Sequence, residues 1–219
     1  MPTIEMIILA KSKKLGGKCI AGLRTDGGGW VRPVAPNPDG TLFPQHFTLT
    51  NGSPTEVLDV VRIEVKEPRP EPYQPENWVI TDKKWKLISR PGSEEHQSII
   101  WSNIVTGPTL LGNQSDRIHI RKFEDQPAEA SLALIMPSKI EWTIGIDIKG
   151  HRQTRAVFKL KGTTYDLAVT DEAWKRHLGK LSKGSHPVKS GEKFLLTISL
   201  GEPFNKYCYK LVSSVLQME

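Results

Sequence analysis

Short apolar segments that alternate with turn signals constrain this chain more than any other feature. Residues 4–10 form a β-branched run that ends at a lysine-rich segment, and Trp30–Val34 is a second run that follows three glycines. Further runs recur at intervals of roughly 8 to 15 residues, a spacing typical of small barrels and sandwiches. No period of about 20 to 50 residues repeats, which argues against a solenoid or propeller. The sequence therefore predicts a mostly β fold.

The predicted strands fall into two groups, one in each half of the chain. Pro91 and Gln114 bracket a stretch of different character, and we place a domain boundary within it. We therefore predict one small β domain at residues 1–100 and another at residues 101–219, each with roughly five short strands. The strands are predicted at 4–10, 19–23, 30–34, 57–67, 78–81 and 85–89, and then at 131–136, 140–148, 152–160, 163–169, 194–200 and 207–216.

Two segments are predicted to be helical. Residues 94–104 follow Ser93 as an N-cap, and residues 171–181 follow Thr170 as an N-cap. Early glutamates favour the first helix, and the second, in the C-terminal half, is the convincing one, because Thr170 can cap it and Asp171 and Glu172 open its first turn. Turns, loops or connectors are predicted at 11–18, 37–55, 68–75, 182–191 and 201–203.

The charge of the chain favours a polyanionic partner. It has 30 lysines and arginines against 24 acidic residues, a formal net charge of +6 at pH 7. Such an excess attracts phosphate groups and gains from counterion release. The apolar run at residues 7–9 is too short for a signal peptide or a membrane span, and two cysteines are too few for a secreted disulfide scaffold. We expect a cytoplasmic protein with reduced thiols and no membrane contact.

The sharpest candidate site is a glycine pair flanked by lysines near the N-terminus. Glycine lets the backbone approach a phosphate and lysine supplies charge, although the spacing is not that of a P-loop. On a neighbouring strand, Trp30 would offer a stacking face and Arg32 a phosphate clamp. The alternative is a cationic hairpin turn with Trp30 in the core. The candidate ligand-binding residues are Ser12, Lys13, Lys14, Gly16, Gly17, Lys18, Trp30 and Arg32.

A secondary basic and aromatic surface is predicted in the C-terminal half. Alternation on a strand puts Tyr207 and Tyr209 on one face and Cys208 on the other, so either the tyrosines or the cysteine is buried. The residues predicted for this surface are His119, Arg121, Lys175, Arg176, Tyr207 and Lys210.

The sequence gives little support for catalysis. The six histidines are dispersed without metal-ligand spacing, and the carboxylates do not cluster as a metal-dependent nuclease requires, so we expect no metal and no cofactor. Cys19 lies in an apolar strand, where a small buried side chain is the favoured interpretation. A nucleophilic Cys19 would need an adjacent base, and none lies near it in sequence.

Several segments resemble, in order, the bacterial dual OB-containing domain family. They are LAKSKKLGGKCIAG at 9–22, GWVRPV at 29–34, QPENW at 74–78, YDLAVTD at 165–171, SLGEPF at 199–204 and YCYKLV at 207–212. The resemblance covers nearly the whole chain. It implies that residues 1–100 and 101–219 form two OB-like β-barrels. It also implies recognition of nucleic acid or a nucleotide, in a bacterial defence or stress setting.

Three functions remain open. The leading hypothesis is a non-catalytic module that binds single-stranded nucleic acid or a nucleotide ligand, because OB surfaces combine a cationic groove with aromatic faces. The second is a nucleotide-processing enzyme that uses segment 12–19. The third is a protein-interaction subunit whose partner supplies the chemistry, with docking through the 37–55 loop and the proline connector.

Overall fold

The computed structural model describes residues 1–90, 93–147 and 150–218. The chain divides into two compact units, Met1–Asn103 and Ile104–Glu219, and the prediction of a mostly β fold is confirmed. No helix in the described part of the chain is long and apolar enough to cross a membrane.

The first unit contains a closed five-stranded barrel. Its hydrogen-bonded order is β1-β2-β3-β5-β4, and a β1–β4 ladder closes the ring. The β3–β5 pair is parallel and the other pairs are antiparallel, which is the arrangement of an OB barrel. The elements of this unit are β1 (Thr3–Lys14), β2 (Gly17–Arg24), β3 (Trp30–Val34), α1 (Pro44–Phe47), β4 (Val60–Pro68), β5 (Asn77–Ile80), β6 (Lys86–Ser89) and α2 (Glu94–Ser102).

Alternating apolar residues of these strands fill the barrel. Met6, Ile8 and Ile20 pack with Val61 and with the fully buried Trp85. The loop predicted at 37–55 contains the short helix α1, which contributes the buried Phe47. In the OB order, α1 lies between the third and fourth strands.

The second unit repeats this strand order within a larger sheet. Its hydrogen-bonded order is β12-β9-β10-β11-β14-β13-β8, with β7 paired to β14. The elements are β7 (Arg117–His119), α3 (Lys122–Asp125), β8 (Leu132–Ile135), β9 (Lys139–Ile146), β10 (Arg152–Leu160), β11 (Thr163–Val169), α4 (Glu172–His177), a 3-10 turn (Leu178–Lys180), β12 (Gly184–Pro187), β13 (Lys193–Phe204) and β14 (Tyr207–Met218).

The second unit differs from the first in how the ring ends. Strands β9-β10-β11-β14-β13 follow the OB order, β11 and β14 are parallel, and α4 lies between the third and fourth strands of that order. In the described residues no ladder joins β9 to β13, whose outer neighbours are β12 and β8. Side chains of the two strands nevertheless meet, because the Trp142 and Phe194 ring centroids are 5.8 Å apart.

Several local predictions need correction. Strand β1 extends to Lys14, so the predicted turn at 11–18 shrinks to Leu15 and Gly16. Asp171, not Thr170, caps α4: its Oδ1 accepts from the Trp174 amide at 3.0 Å. The capping of α2 by Ser93 is confirmed.

The C-terminal hairpin also differs from the prediction. Strand β13 continues through 201–203, and the turn lies at Asn205 and Lys206. The loop predicted at 182–191 includes strand β12. Strand β9 ends at Ile146, whereas the predicted strand runs to residue 148, which lies outside the described residues.

Candidate nucleic-acid interface

The glycine pair of the first barrel is explained by chain packing. Leu15 and Gly16 have φ of 40° and 82°, so this tight hairpin turn requires left-handed backbone. Gly17 serves a different purpose, because a Cβ there would lie 2.3 Å from the Leu42 carbonyl oxygen. The Lys18 amide donates to that oxygen at 2.7 Å, and the Leu42 amide returns a bond to the Lys18 carbonyl at 3.0 Å. The pair thus holds the hairpin against the Thr41–Leu42 segment.

The lysines of this hairpin have different surroundings. Lys13 is exposed and pairs across the strands with Lys18. The Lys14 ammonium donates to the Asp39 carbonyl oxygen. Ser12 is buried opposite Cys19. Of the predicted phosphate cluster, Lys13 is therefore the most accessible charge.

Trp30 and Arg32 do not form a single site with the lysines of that hairpin. Trp30 is half-buried and pairs with Leu23, which is six residues from Gly17 on β2, or about 20 Å along the strand. Arg32 is only 2% exposed, and its amide donates to the Glu76 carbonyl at 2.9 Å. Its strand turns the side chain into the unit, and its predicted role as a phosphate clamp stays a prediction.

The second unit gathers aromatic and cationic side chains on one exposed face. Strand β7 pairs with the start of β14, so His119 lies opposite Tyr207 and Arg117 lies opposite Tyr209. Alternation then puts these four side chains on the same face of the two strands. We call this face, with the adjoining hairpin tip, the Tyr207 surface; its residues are Arg117, His119, Arg121, Phe204, Lys206, Tyr207 and Tyr209.

Ring and cation contacts organise the Tyr207 surface. The His119 and Tyr207 rings meet edge to face with centroids 5.0 Å apart. The Arg117 guanidinium carbon lies 5.0 Å from the Tyr207 ring centroid and 5.6 Å from that of Tyr209. An Arg117 Nη1 hydrogen bond to the Tyr209 hydroxyl, 3.3 Å long, adds to these contacts. Arginine over two aromatic faces is a cation–π arrangement that also orients the rings.

The β13–β14 hairpin presents the outermost ring of this surface. Asn205 and Lys206 have φ of 49° and 68°, which makes a tight turn, and Phe204 pairs with Tyr207 across it. Phe204 is 67% exposed. The Ile120 amide donates to the Lys206 carbonyl at 3.0 Å and ties the end of β7 to the turn. The exposed Phe204 side chain lies outside the hydrophobic core of the second unit.

Lys210 is not a surface cation, which corrects its assignment to the secondary surface. It is 1% exposed, and its ammonium donates to Asn113 O at 2.9 Å, Asn113 Oδ1 at 2.6 Å and Ser115 O at 2.6 Å. These oxygens use all three donors of the ammonium. Burial lowers the pKa of Lys210 to about 8. Lys210 therefore fixes the loop that precedes β7.

The buried face of β14 settles which side of the strand is core. Cys208 is fully buried, so the tyrosines face outward. Burial, with a smaller contribution from the Glu202 charge, raises the pKa of Cys208 to about 11. A thiol reagent needs the thiolate and access to the sulfur.

We therefore expect Cys208 to be inert in the folded protein. In a Cys19→Ser variant, the remaining thiol should react with an aromatic disulfide reagent at pH 8 at least about 100-fold more slowly than in urea. The matched Cys208→Ser variant reports on the half-buried Cys19 under the same conditions. Equal rates for Cys208 in the folded and unfolded protein would contradict the prediction.

The remaining predicted residues are Arg121, which belongs to the Tyr207 surface, and two cations on helix α4. Arg121 is exposed just after β7, and its amide donates to His119 Nδ1 at 3.2 Å. Lys175 and Arg176 are exposed on α4, where Trp174 packs on Trp142 with centroids 5.2 Å apart. The structure brings His119, Arg121 and Tyr207 together, and it leaves Lys175 and Arg176 as a separate prediction.

Sequence reasoning did not include Arg117, Phe204, Lys206 and Tyr209 in this surface. The sequence predicts a turn at 201–203 beside Phe204, although Asn205 is itself a residue that tolerates left-handed backbone. Reading the turn at Asn205 would have placed Phe204 and Tyr207 opposite each other. Arg117 gave no signal, because β7 has only three residues. Within the described residues, no group of three or more histidine, cysteine or acidic side chains is arranged to hold a metal ion.

A closed OB-type barrel and a second sheet with the same strand order, each with a parallel pair between its third and fifth strands, define the class of this protein. The sequence matches the family model of the dual OB-containing domain over residues 4–215. The chain therefore belongs to the dual OB-containing domain family, as its ordered motifs predict. A comparison with curated proteins found no match.

The solved structures that resemble the chain are distant. One is a murine DNA-binding protein bound with double-stranded DNA, with 9% identity, a TM-score of 0.38 and complete coverage of both chains. Another is the HINa domain of Ifi202 in complex with a 20-base-pair double-stranded DNA, with 11% identity, a TM-score of 0.38, and coverage of 99% of this chain and 95% of that chain. Similarity at this TM-score carries no information about what this chain binds.

Proposed function

We propose that this protein binds single-stranded nucleic acid through the Tyr207 surface and does so without catalysis. The observation that supports this best is the exposed Phe204 beside Tyr207, with the Arg117 guanidinium over the tyrosine ring. Bases stack on such rings irrespective of sequence, and a nearby arginine strengthens the stack.

Charge around the rings supports a nucleic-acid ligand over an apolar one. Arg121 and Lys206 are exposed next to the ring cluster, while Asp116 is engaged by Arg117 at 3.5 Å. Cations beside stacking faces suit the phosphates that join successive bases. A neutral or acidic ligand that lacks an aromatic ring would leave the exposed ring faces of this surface unused.

The position of the surface supports single strands over duplexes. It lies on the hairpin between the fourth and fifth strands of the OB order, and that loop is one of those through which OB folds bind oligonucleotides. Ring faces such as that of Phe204 pair with unstacked bases, which a duplex keeps inside its helix.

Fluorescence anisotropy with a single-stranded oligonucleotide tests this proposal. Tyr207→Ala is expected to weaken binding by about 5- to 150-fold, because base–aromatic stacking contributes about 1–3 kcal/mol per base. Arg121→Ala should reduce the salt slope by about 0.7. Lys66→Ala, which removes an exposed charge of the first barrel, is the matched control and should change the affinity little.

Two results would refute the proposal. One is the absence of oligonucleotide binding at low ionic strength. The other is an equal loss of affinity in Arg121→Ala and Lys66→Ala together with no loss in Tyr207→Ala, which would show that binding follows net charge and not this surface.

A further inference from the structure

A cavity of about 500 Å³ opens on the second unit, away from the residues of the Tyr207 surface. It lies against β9 and β10 and is bordered by the segment that follows β12. Ligand pockets commonly have volumes of about 300–1,000 Å³. Lys139, Lys159 and Lys189 line it, and we call it the lysine pocket.

Two of these lysines face each other across the sheet. Lys139 and Lys159 are partners in the antiparallel β9–β10 ladder, and Thr164 of β11 is the next partner along the same row. Like charges directly opposite each other destabilise a sheet. In the described part of the chain, neither lysine has an ion pair with a carboxylate. Folding therefore brings these charges together without a carboxylate at ion-pair distance from either of them.

The third lysine is brought to the pocket by a short backbone connection. The Val188 amide donates to the Ile140 carbonyl at 3.0 Å, which holds the chain after β12 beside β9. Lys189 follows immediately and is exposed. Ser138, Thr164 and Ser190 add hydroxyl groups to the lining, and Phe158 and Phe194 add apolar surface.

The two glutamates in the lining offset only part of the lysine charge. Glu141 accepts a hydrogen bond from the Ser185 hydroxyl. Glu192 accepts from the Lys189 amide at 3.2 Å and from the Gln217 side-chain amide at 3.5 Å. Both carboxylates are thus used in holding the edge of the pocket. Three lysines against two glutamates leave it positive.

We propose that the lysine pocket binds a phosphate-bearing anion of the oligophosphate class. Lysine binds phosphate as a point charge, and several linked phosphates can contact lysines that approach from different strands. Hydroxyl groups beside the lysines supply further donors. The ligand would relieve the repulsion between Lys139 and Lys159. This inference shares no residue with the Tyr207 surface and stands independently of the proposed function.

Isothermal titration calorimetry with inorganic triphosphate at low ionic strength tests the site. The wild-type protein is expected to bind, and the Lys139→Gln/Lys159→Gln variant to bind at least about tenfold more weakly. Lys180→Gln/Lys183→Gln removes the same charge from exposed positions outside the pocket and should leave the affinity within about twofold.

Thermal unfolding separates loss of the site from loss of the fold. Without ligand, the Lys139→Gln/Lys159→Gln variant is expected to melt at the same temperature as the wild-type protein or higher, because like-charge repulsion is removed. Triphosphate should raise the melting temperature of the wild type and not that of the variant. Absence of triphosphate binding, or equal weakening in both double variants, would overturn the proposal.

The same chemistry occurs in free nucleoside polyphosphates and at a 5′-triphosphate end of RNA. ATP that binds as tightly as triphosphate would indicate the free nucleotide. Tighter binding of a 5′-triphosphorylated oligonucleotide than of its 5′-hydroxyl form, lost in Lys139→Gln/Lys159→Gln and kept in Tyr207→Ala, would indicate the RNA end. Failure of the Tyr207 surface to bind oligonucleotides would leave the triphosphate result unaffected.

Discussion

Replacing Gly22 by alanine is expected to destabilise the first barrel by about 3 kcal/mol or more, or to prevent it from folding. A Cβ at this position would lie 2.1 Å from the Ile7 carbonyl oxygen and 2.9 Å from its carbon. Both are backbone atoms of the paired strand β1, so relief would require the β1–β2 ladder to separate. The register shifts between Ile8 and Ala10, next to the same contact.

Urea unfolding followed by circular dichroism measures this effect. Gly145→Ala is the control, because Gly145 also lies in a strand but an added Cβ there meets no atom within 4 Å. That substitution should change the free energy of unfolding by less than about 1 kcal/mol. A Gly22→Ala protein as stable as Gly145→Ala would show that the two strands can part at the bulge without cost.

Replacing Lys210 by methionine is expected to destabilise the second unit by about 3 kcal/mol. The change removes three hydrogen bonds and leaves oxygens of Asn113 and Ser115 without their donor. Lys206→Met is the control, since Lys206 is exposed at the hairpin tip. Urea unfolding at pH 7.5 compares the two, and equal stabilities would contradict a structural role for Lys210.

The pH dependence of this difference is a second measurement on the same pair. Lys210 has a pKa of about 8 in the folded protein against an ordinary value of 10.5. Between these values the unfolded chain binds a proton that the folded chain does not, so this group makes stability rise with pH. The stability of wild type relative to Lys210→Met should therefore increase by about 2 kcal/mol from pH 7.5 to pH 9.5. A decrease over that interval would show that the fold favours the charged ammonium.

The strands could be predicted because their residue patterns are local. The bounds of Trp30–Val34, Arg152–Leu160 and Thr163–Val169 agree with the prediction, since turn residues mark both of their ends. The turns at Leu15 and Lys206 were harder to predict, because both residues adopt left-handed backbone that their residue types disfavour. The sequence therefore gives only a weak signal for these two turns.

The site could be predicted only in part, because it depends on which face of a strand turns inward. Alternation separates Tyr207 and Tyr209 from Cys208, but it does not say which face is core. The inward face is fixed by the loop around Asn113, which accepts hydrogen bonds from Lys210. The two residues are 97 positions apart in the sequence. Arg32 illustrates the same limit, because nothing in its neighbours Val31 and Pro33 predicts that a guanidinium is buried.

The unclosed ring of the second unit has a consequence for solubility. Strand β12 ends its sheet, and the outer edge of such a strand offers backbone groups to which another chain can add. Here that edge has only four residues and ends at Pro187, which has no amide hydrogen to donate. Exposed Lys183 and Lys189 stand at its two ends. The edge is thus poorly suited to strand addition, which guards the open barrel against aggregation.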